Sequence, residues 1–124
     1  MTRARTVVSV VPDLLTATRI AATARQLQIV LVTARSEEAL EVCRRLRPDL
    51  ILVDLEAEAD PTELIRALKQ DPETRPLALL GFYAHVHNSL RESALAAGAD
   101  RVLPRSAFTR KLAELLAGEP DTPD

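Results

Sequence analysis

Aromatic residues are nearly absent from this chain: two Phe, one Tyr and no Trp among 124 residues. The core must therefore be built from aliphatic side chains. Glycine is as scarce, with three residues, so glycine-rich phosphate-cradling loops are excluded. A single cysteine, Cys43, excludes an internal disulfide and a cysteine-rich zinc site, and a reducing, cytoplasmic setting is the expectation. No apolar run approaches the ~20 residues that cross a bilayer, and the first run, Val7 to Val11, is too brief for a signal peptide. Charge of one sign is also missing. The net charge is -2, and the sixteen basic residues are scattered, so no nucleic acid or membrane partner is expected. Neither a nucleophile elbow nor a Ser/His/Asp ordering occurs, and the reading is of a non-enzymatic domain.

What is present is alternation. Apolar runs at Val7–Val11, Ile29–Thr33, Leu50–Asp54, Leu77–Phe82 and Arg101–Leu103 predict five strands. Helical periodicity fills the gaps. Asp13 starts a first helix that runs to about Gln26. Ser36 is the expected N-cap of the second, which buries Ala39, Cys43 and Leu46 and stops at Pro48. Asp60, Pro61 and Glu63 give the third a cap, a first-turn proline and a capping-box acid. The fourth runs from about Asn88 to Gly98, and the fifth from Ser106 to Gly118, with Phe108, Leu112, Leu115 and Leu116 on one stripe. Strands alternating with helices predict an α/β domain over residues 1–117 with a doubly wound parallel sheet. Residues 118–124 form a short polar tail, expected to be disordered.

Function concentrates at Asp54. Four apolar residues carry this carboxylate to the end of a strand buried on both faces, and open parallel sheets bind ligands just beyond the carboxyl ends of their strands. There it can serve as nucleophile, metal ligand or helix cap.

Three ordered segments extend the argument: Arg-Pro-Asp-Leu-Ile-Leu-Val-Asp at 47–54, Pro-Leu-Ala-Leu-Leu at 76–80 and Ala-Gly-Ala-Asp-Arg-Val-Leu-Pro-Arg at 97–105. Together they resemble the receiver domain of response regulators in two-component signalling. The resemblance covers roughly residues 7–117 and implies a five-stranded flavodoxin-like sheet of order 2-1-3-4-5 with five helices. It also implies that Asp54 is the phosphoacceptor of a phosphorelay. Mg²⁺ would be held by Asp13, Asp54 and the backbone carbonyl of Glu56, and Arg105 would pair with the phosphate or with Asp54 itself. The expected partner is a protein: a histidine kinase, a phosphotransfer protein or an output protein. The surface of the last two helices and last strand, with Arg91, Arg101, Arg110 and Lys111, pairs receivers in many relatives, so a homodimer is implied as well.

The chain departs from the family pattern at several positions. Pro12-Asp13 replaces an acidic pair, so Asp13 reads either as a metal ligand or as a plain N-cap. Gly81 stands where a switch hydroxyl is usual, Arg105 where a lysine is, Ser106 where a proline is and Val102 where an aromatic is. These changes predict an atypical, phosphorylation-independent receiver, standing alone and acting by protein contact. Phe82 and Tyr83 are a candidate partner surface, with Arg91 and Arg101 beside it. His85 and His87 read as loop residues or as a weak metal pair. The reading of another class is a small-anion or ligand sensor that uses the crevice between Asp13, Asp54 and Arg105.

Overall fold

The computed structural model describes residues 4–57, 60–84 and 88–118. Its elements run β1 (Thr6–Val10), α1 (Leu14–Gln26), β2 (Val30–Thr33), α2 (Ser36–Leu46), β3 (Leu50–Asp54), α3 (Pro61–Gln70), β4 (Leu79–Tyr83), α4 (Asn88–Ala97), β5 (Arg101–Pro104), α5 (Arg105–Arg110) and α6 (Leu112–Ala117). All strands are parallel, in the order β2-β1-β3-β4-β5. This is the doubly wound sheet that the alternation predicts.

Strand residues divide between two aliphatic cores by the period-two rule. Val8, Val10, Ile51 and Val53 face one side, against Ala39, Cys43, Ile65, Leu68 and Ala94 from α2, α3 and α4. Val7, Leu50, Leu52 and Phe82 face the other, against Ile20, Ala24, Phe108, Leu112 and Leu116 from α1, α5 and α6. β3 and β4 are buried at every residue, whereas the edge strand β2 is not buried at any.

Local chemistry sets the helix ends. Asp13 caps α1 by accepting from the Thr16 N–H at 3.0 Å and the Thr16 hydroxyl at 2.6 Å. Asp60 caps α3 through the N–H groups of Thr62 and Glu63, with Pro61 in the first turn. Gly98 follows α4 at φ +117°, and a Cβ there would meet the Lys69 side chain at 2.8 Å. The missing side chain lets Lys69 reach over to donate to Leu77 O (2.7 Å) and Asp100 Oδ2 (2.8 Å). That carboxylate also accepts from the Leu79 N–H, so α3 is pinned to the start of β4.

Several strand ends and the start of the last helix shift by one residue from expectation, and four boundaries differ for an identifiable local reason. The N-cap of α2 is Arg35, whose N–H donates to Glu38 three residues on, which moves Ser36 inside the helix. α2 ends at Arg47 in the left-handed region (φ 47°), ahead of Pro48. β4 begins at Leu79 because Leu77 still closes a turn onto Thr74. The last helix is two segments separated at Lys111 (φ -100°, ψ 10°), although backbone bonds from Lys111 to Ala107 and from Leu115 to Lys111 continue across the junction.

Ser9 is 1% exposed and its hydroxyl has no hydrogen-bond partner among the described residues. A buried unsatisfied hydroxyl costs about 1–3 kcal/mol. Ser9→Ala is expected to stabilise the fold by about 1 kcal/mol. The check is a urea midpoint that rises while the m-value stays unchanged.

Candidate functional site

β1, β3, β4 and β5 end together at one edge of the molecule. The last residue of β3, Asp54, stands in register with Phe82 of β4, and Arg105 opens α5 directly after β5. Asp54 is 4% exposed. Its Oδ1 accepts the Glu56 N–H at 2.9 Å, and its Oδ2 lies 3.9 Å from Arg105 Nη2. The other guanidinium nitrogen, Nη1, lies 3.9 Å from Asp13 Oδ2 and donates a short hydrogen bond to the Thr16 hydroxyl. Arg105 thus bridges the carboxylates after β1 and β3.

An aromatic shelf supports the bridge. The Arg105 guanidinium carbon sits 5.4 Å from the centroid of the Phe82 ring, and Phe82 stacks on Phe108 with centroids 4.1 Å apart and planes 7° from parallel. A planar cation over an aromatic face is attracted to the ring quadrupole, and Arg serves that geometry better than Lys. Two of the three aromatic residues in the chain therefore hold one guanidinium in place.

Gly81 is covered by a neighbouring side chain. A Cβ on Gly81 would meet Leu55 atoms at 3.0, 3.1 and 3.2 Å, so the Leu55 side chain fills the space above β4 where a larger residue would project. Leu55 is itself buried and donates its N–H to Phe82 O. One residue on, the Glu56 carboxylate accepts the Ala84 N–H at 2.6 Å. The turn after Asp54 is thus fastened to the end of β4 at two points.

The carboxylates differ in electrostatics. Hydrogen bonds from the Thr16 hydroxyl and N–H, together with the Arg105 charge, hold Asp13 below the usual carboxylate range. Burial pushes Asp54 above it, against the opposing pull of the Glu56 N–H and Arg105. Among the described residues no group of three or more His, Cys, Asp or Glu side chains converges as a metal cage. Asp13 and Asp54 each face a different nitrogen of Arg105, so the cation beside these carboxylates is a guanidinium.

The other expected residues separate. Phe82 is fully buried and Tyr83 nearly so, which corrects the expectation of an aromatic contact surface: β4 is flanked by strands on both sides and covered on both faces, so its side chains turn inward. Arg91 is exposed on α4 and Arg101 half-buried on β5, while Arg110 is exposed and Lys111 buried. His85 and His87 lie outside the described residues. Burial raises the Cys43 thiol to about 11, which leaves it inert. Three contributors were not anticipated: Thr16, Leu55 and Phe108. Thr16 had a signal, standing three residues after a capping aspartate. The contact of Leu55 with Gly81 depends on the β3–β4 register and has no local signature.

A raised Asp54 pKa has a definite sign. Between the ordinary value of 3.8 and the higher folded value the native state binds more protons, so the contribution of Asp54 to stability falls as pH rises through that window. At neutral pH the ionised group is therefore unfavourable to folding. Asp54→Asn is expected to be more stable than the parent at pH 7, with the gap closing below pH 3.8. Paired urea titrations across that range check it.

No protein-family model matches the sequence, and no curated protein does. Solved structures do match, over almost the whole chain. The chemotaxis protein CheY4 of Vibrio cholerae aligns with a TM-score of 0.82 at 18% identity, covering 95% of this chain and 100% of the other. The receiver domain of a sensor histidine kinase from Pseudomonas aeruginosa, solved with a magnesium ion coordinated in its active-site cleft, gives 0.81 at 21%, covering 94% and 97%. A response regulator from Thermotoga maritima gives 0.77 at 21%, again covering 94% and 97%. The architecture of this chain is the receiver fold of response regulators.

Proposed function

We infer that this chain is a receiver-type signalling module that acts by binding a protein partner. In this reading Arg105 stands in for a metal ion at the Asp54 site. The observation that carries it is the guanidinium placed 3.9 Å from both Asp13 and Asp54 and backed by the Phe82 ring. An aspartate can accept a phosphoryl group only where charge on the transferring oxygens is neutralised. Here one permanent cation already neutralises the nucleophile, and no side chain at Gly81 is available to meet a phosphoryl oxygen. Phosphorylation-independent contact with a kinase, phosphotransfer or output protein follows from that arrangement.

A divalent ion, as in the Pseudomonas neighbour, would be held by Asp13, Asp54 and the Glu56 carbonyl, where it would neutralise phosphoryl oxygens. Arg105 opposes that state by like charge. If phosphoryl transfer does occur, Asp54 is the nucleophile and Arg105 must release its carboxylates to pair with the phosphoryl oxygens, for which its planar fork is suited.

Two titrations followed by amide NMR test this reading. Arg105→Ala is expected to bind Mg²⁺ about tenfold more tightly than the parent, as removal of a positive charge ~4 Å from the ligands implies. Beryllofluoride with Mg²⁺, a mimic of an aspartyl phosphate, is expected to leave the parent spectrum unchanged. Saturable shifts around Asp54 that disappear in Asp54→Ala would replace this reading with an ordinary phosphorylation switch. Sulfate or phosphate shifts that depend on Arg105 would instead favour the anion sensor.

A further inference from the structure

The two edges of the sheet are built differently. β5 begins with Arg101 and ends with Pro104, a charge and a missing donor of the kind that keeps an edge from pairing further. β2 reads Val30-Leu31-Val32-Thr33, with neither charge nor proline. Val30 is 47% exposed and Leu27, just before the strand, is 39% exposed. Only one side of β2 is used. The Val30 N–H donates to Arg5 O and the Ala34 N–H to Ser9 O, so Val30, Val32 and Ala34 turn their backbone groups to β1. By alternation Leu31 and Thr33 turn theirs outward, where the sheet has no further strand.

The helix that follows this strand carries its charges in a fixed order. In α2, Glu37, Glu38 and Glu41 precede Arg44 and Arg45. Arg44 turns toward α3, where it pairs with Asp71 at the end of that helix. Glu38 and Arg45 stand at i and i+7 on the other flank, which faces the β2 edge because α3 lies over the opposite half of the sheet. Both are exposed. Glu38 accepts the Arg35 N–H through one oxygen, and Arg45 has no ion-pair partner among the described residues.

We propose that the β2 edge pairs with the β2 edge of a second copy of this chain, antiparallel about a two-fold axis at Val32, so that the two sheets become one. In that arrangement the outward backbone groups of Leu31 meet those of Thr33 in the second copy, and the reverse, which closes the bond pairs of an antiparallel ladder. Val30, Val32 and Ala34 of one copy lie against Ala34, Val32 and Val30 of the other, an apolar cross-strand row. The same axis sets the two α2 helices antiparallel, so Glu38 of each faces Arg45 of the other. β2 is short and its backbone bonds are few, so these charge pairs fix the register. A surface patterned in this way is complementary to itself, which favours a second copy over an unrelated strand. The contact is remote from the β5 side of the sheet and does not depend on the state of Asp54.

The test is sedimentation velocity of the full chain from micromolar to millimolar concentration. A shift to twice the monomer mass as concentration rises is expected. Val30→Lys, at an exposed position, should raise the dimer dissociation constant about tenfold or more and leave the circular dichroism spectrum unchanged. Arg45→Glu and Glu38→Arg should each lose association alone, and a mixture of the two should regain it, because every charge then meets its opposite. Val30→Lys keeps the test decisive if loss of the Glu38 cap unsettles α2. A monomer at millimolar concentration, a dimer indifferent to Val30→Lys, or a mixture of the folded charge variants that stays monomeric would each overturn the proposal.

Discussion

One guanidinium organises the end of this sheet where the strands stop. Arg105 is tied to the loop after β1 through Asp13 and Thr16, to β3 through Asp54, and to β4 through the ring of Phe82. Each tie alone is modest, as partly exposed ion pairs and cation–π contacts usually are. Their shared member makes them interdependent, so disturbing any one shifts the geometry of the rest. The fold permits this because Arg105 is the first residue of α5 and projects from a backbone already fixed by β5.

A lysine at the same place would behave differently. Its compact ammonium could approach one carboxylate closely but could not span two while lying flat on an aromatic ring. The pairing of Phe82 with Phe108 therefore serves the same guanidinium. In a chain with three aromatic residues, the stack is spent on supporting a charge at the site.

The architecture was legible in the sequence because the relevant signals are local. The run Leu50–Asp54 marks a strand buried on both faces, and Asp60-Pro61 marks a helix start within one residue. Asp54 could be placed at the carboxyl edge of the sheet from its own strand, whereas Asp13 and Arg105 were placed beside it by the resemblance to receiver domains. What escaped was register and reach. Which face Phe82 presents, and that Leu55 lies over Gly81, depend on how β3 is set against β4. The inward burial of Tyr83 likewise follows from its place in the sheet, since a sequence ending in Phe-Tyr reads equally well as a surface patch. Arg35 displaced Ser36 as the helix boundary because backbone N–H groups cap without any side-chain preference.

The contact between Leu55 and Gly81 also constrains the routes by which this site can change. A side chain can enter at position 81 only if Leu55 gives way by a few tenths of an ångström, since a single added carbon falls at 3.0 Å from that side chain. A smaller residue at 55, arriving first, would open a void beside β4 and lose buried area. The two positions are therefore coupled in packing, and a change of size at either is felt at the other. Change of volume at this edge of the sheet is thus easier in compensating pairs than one residue at a time.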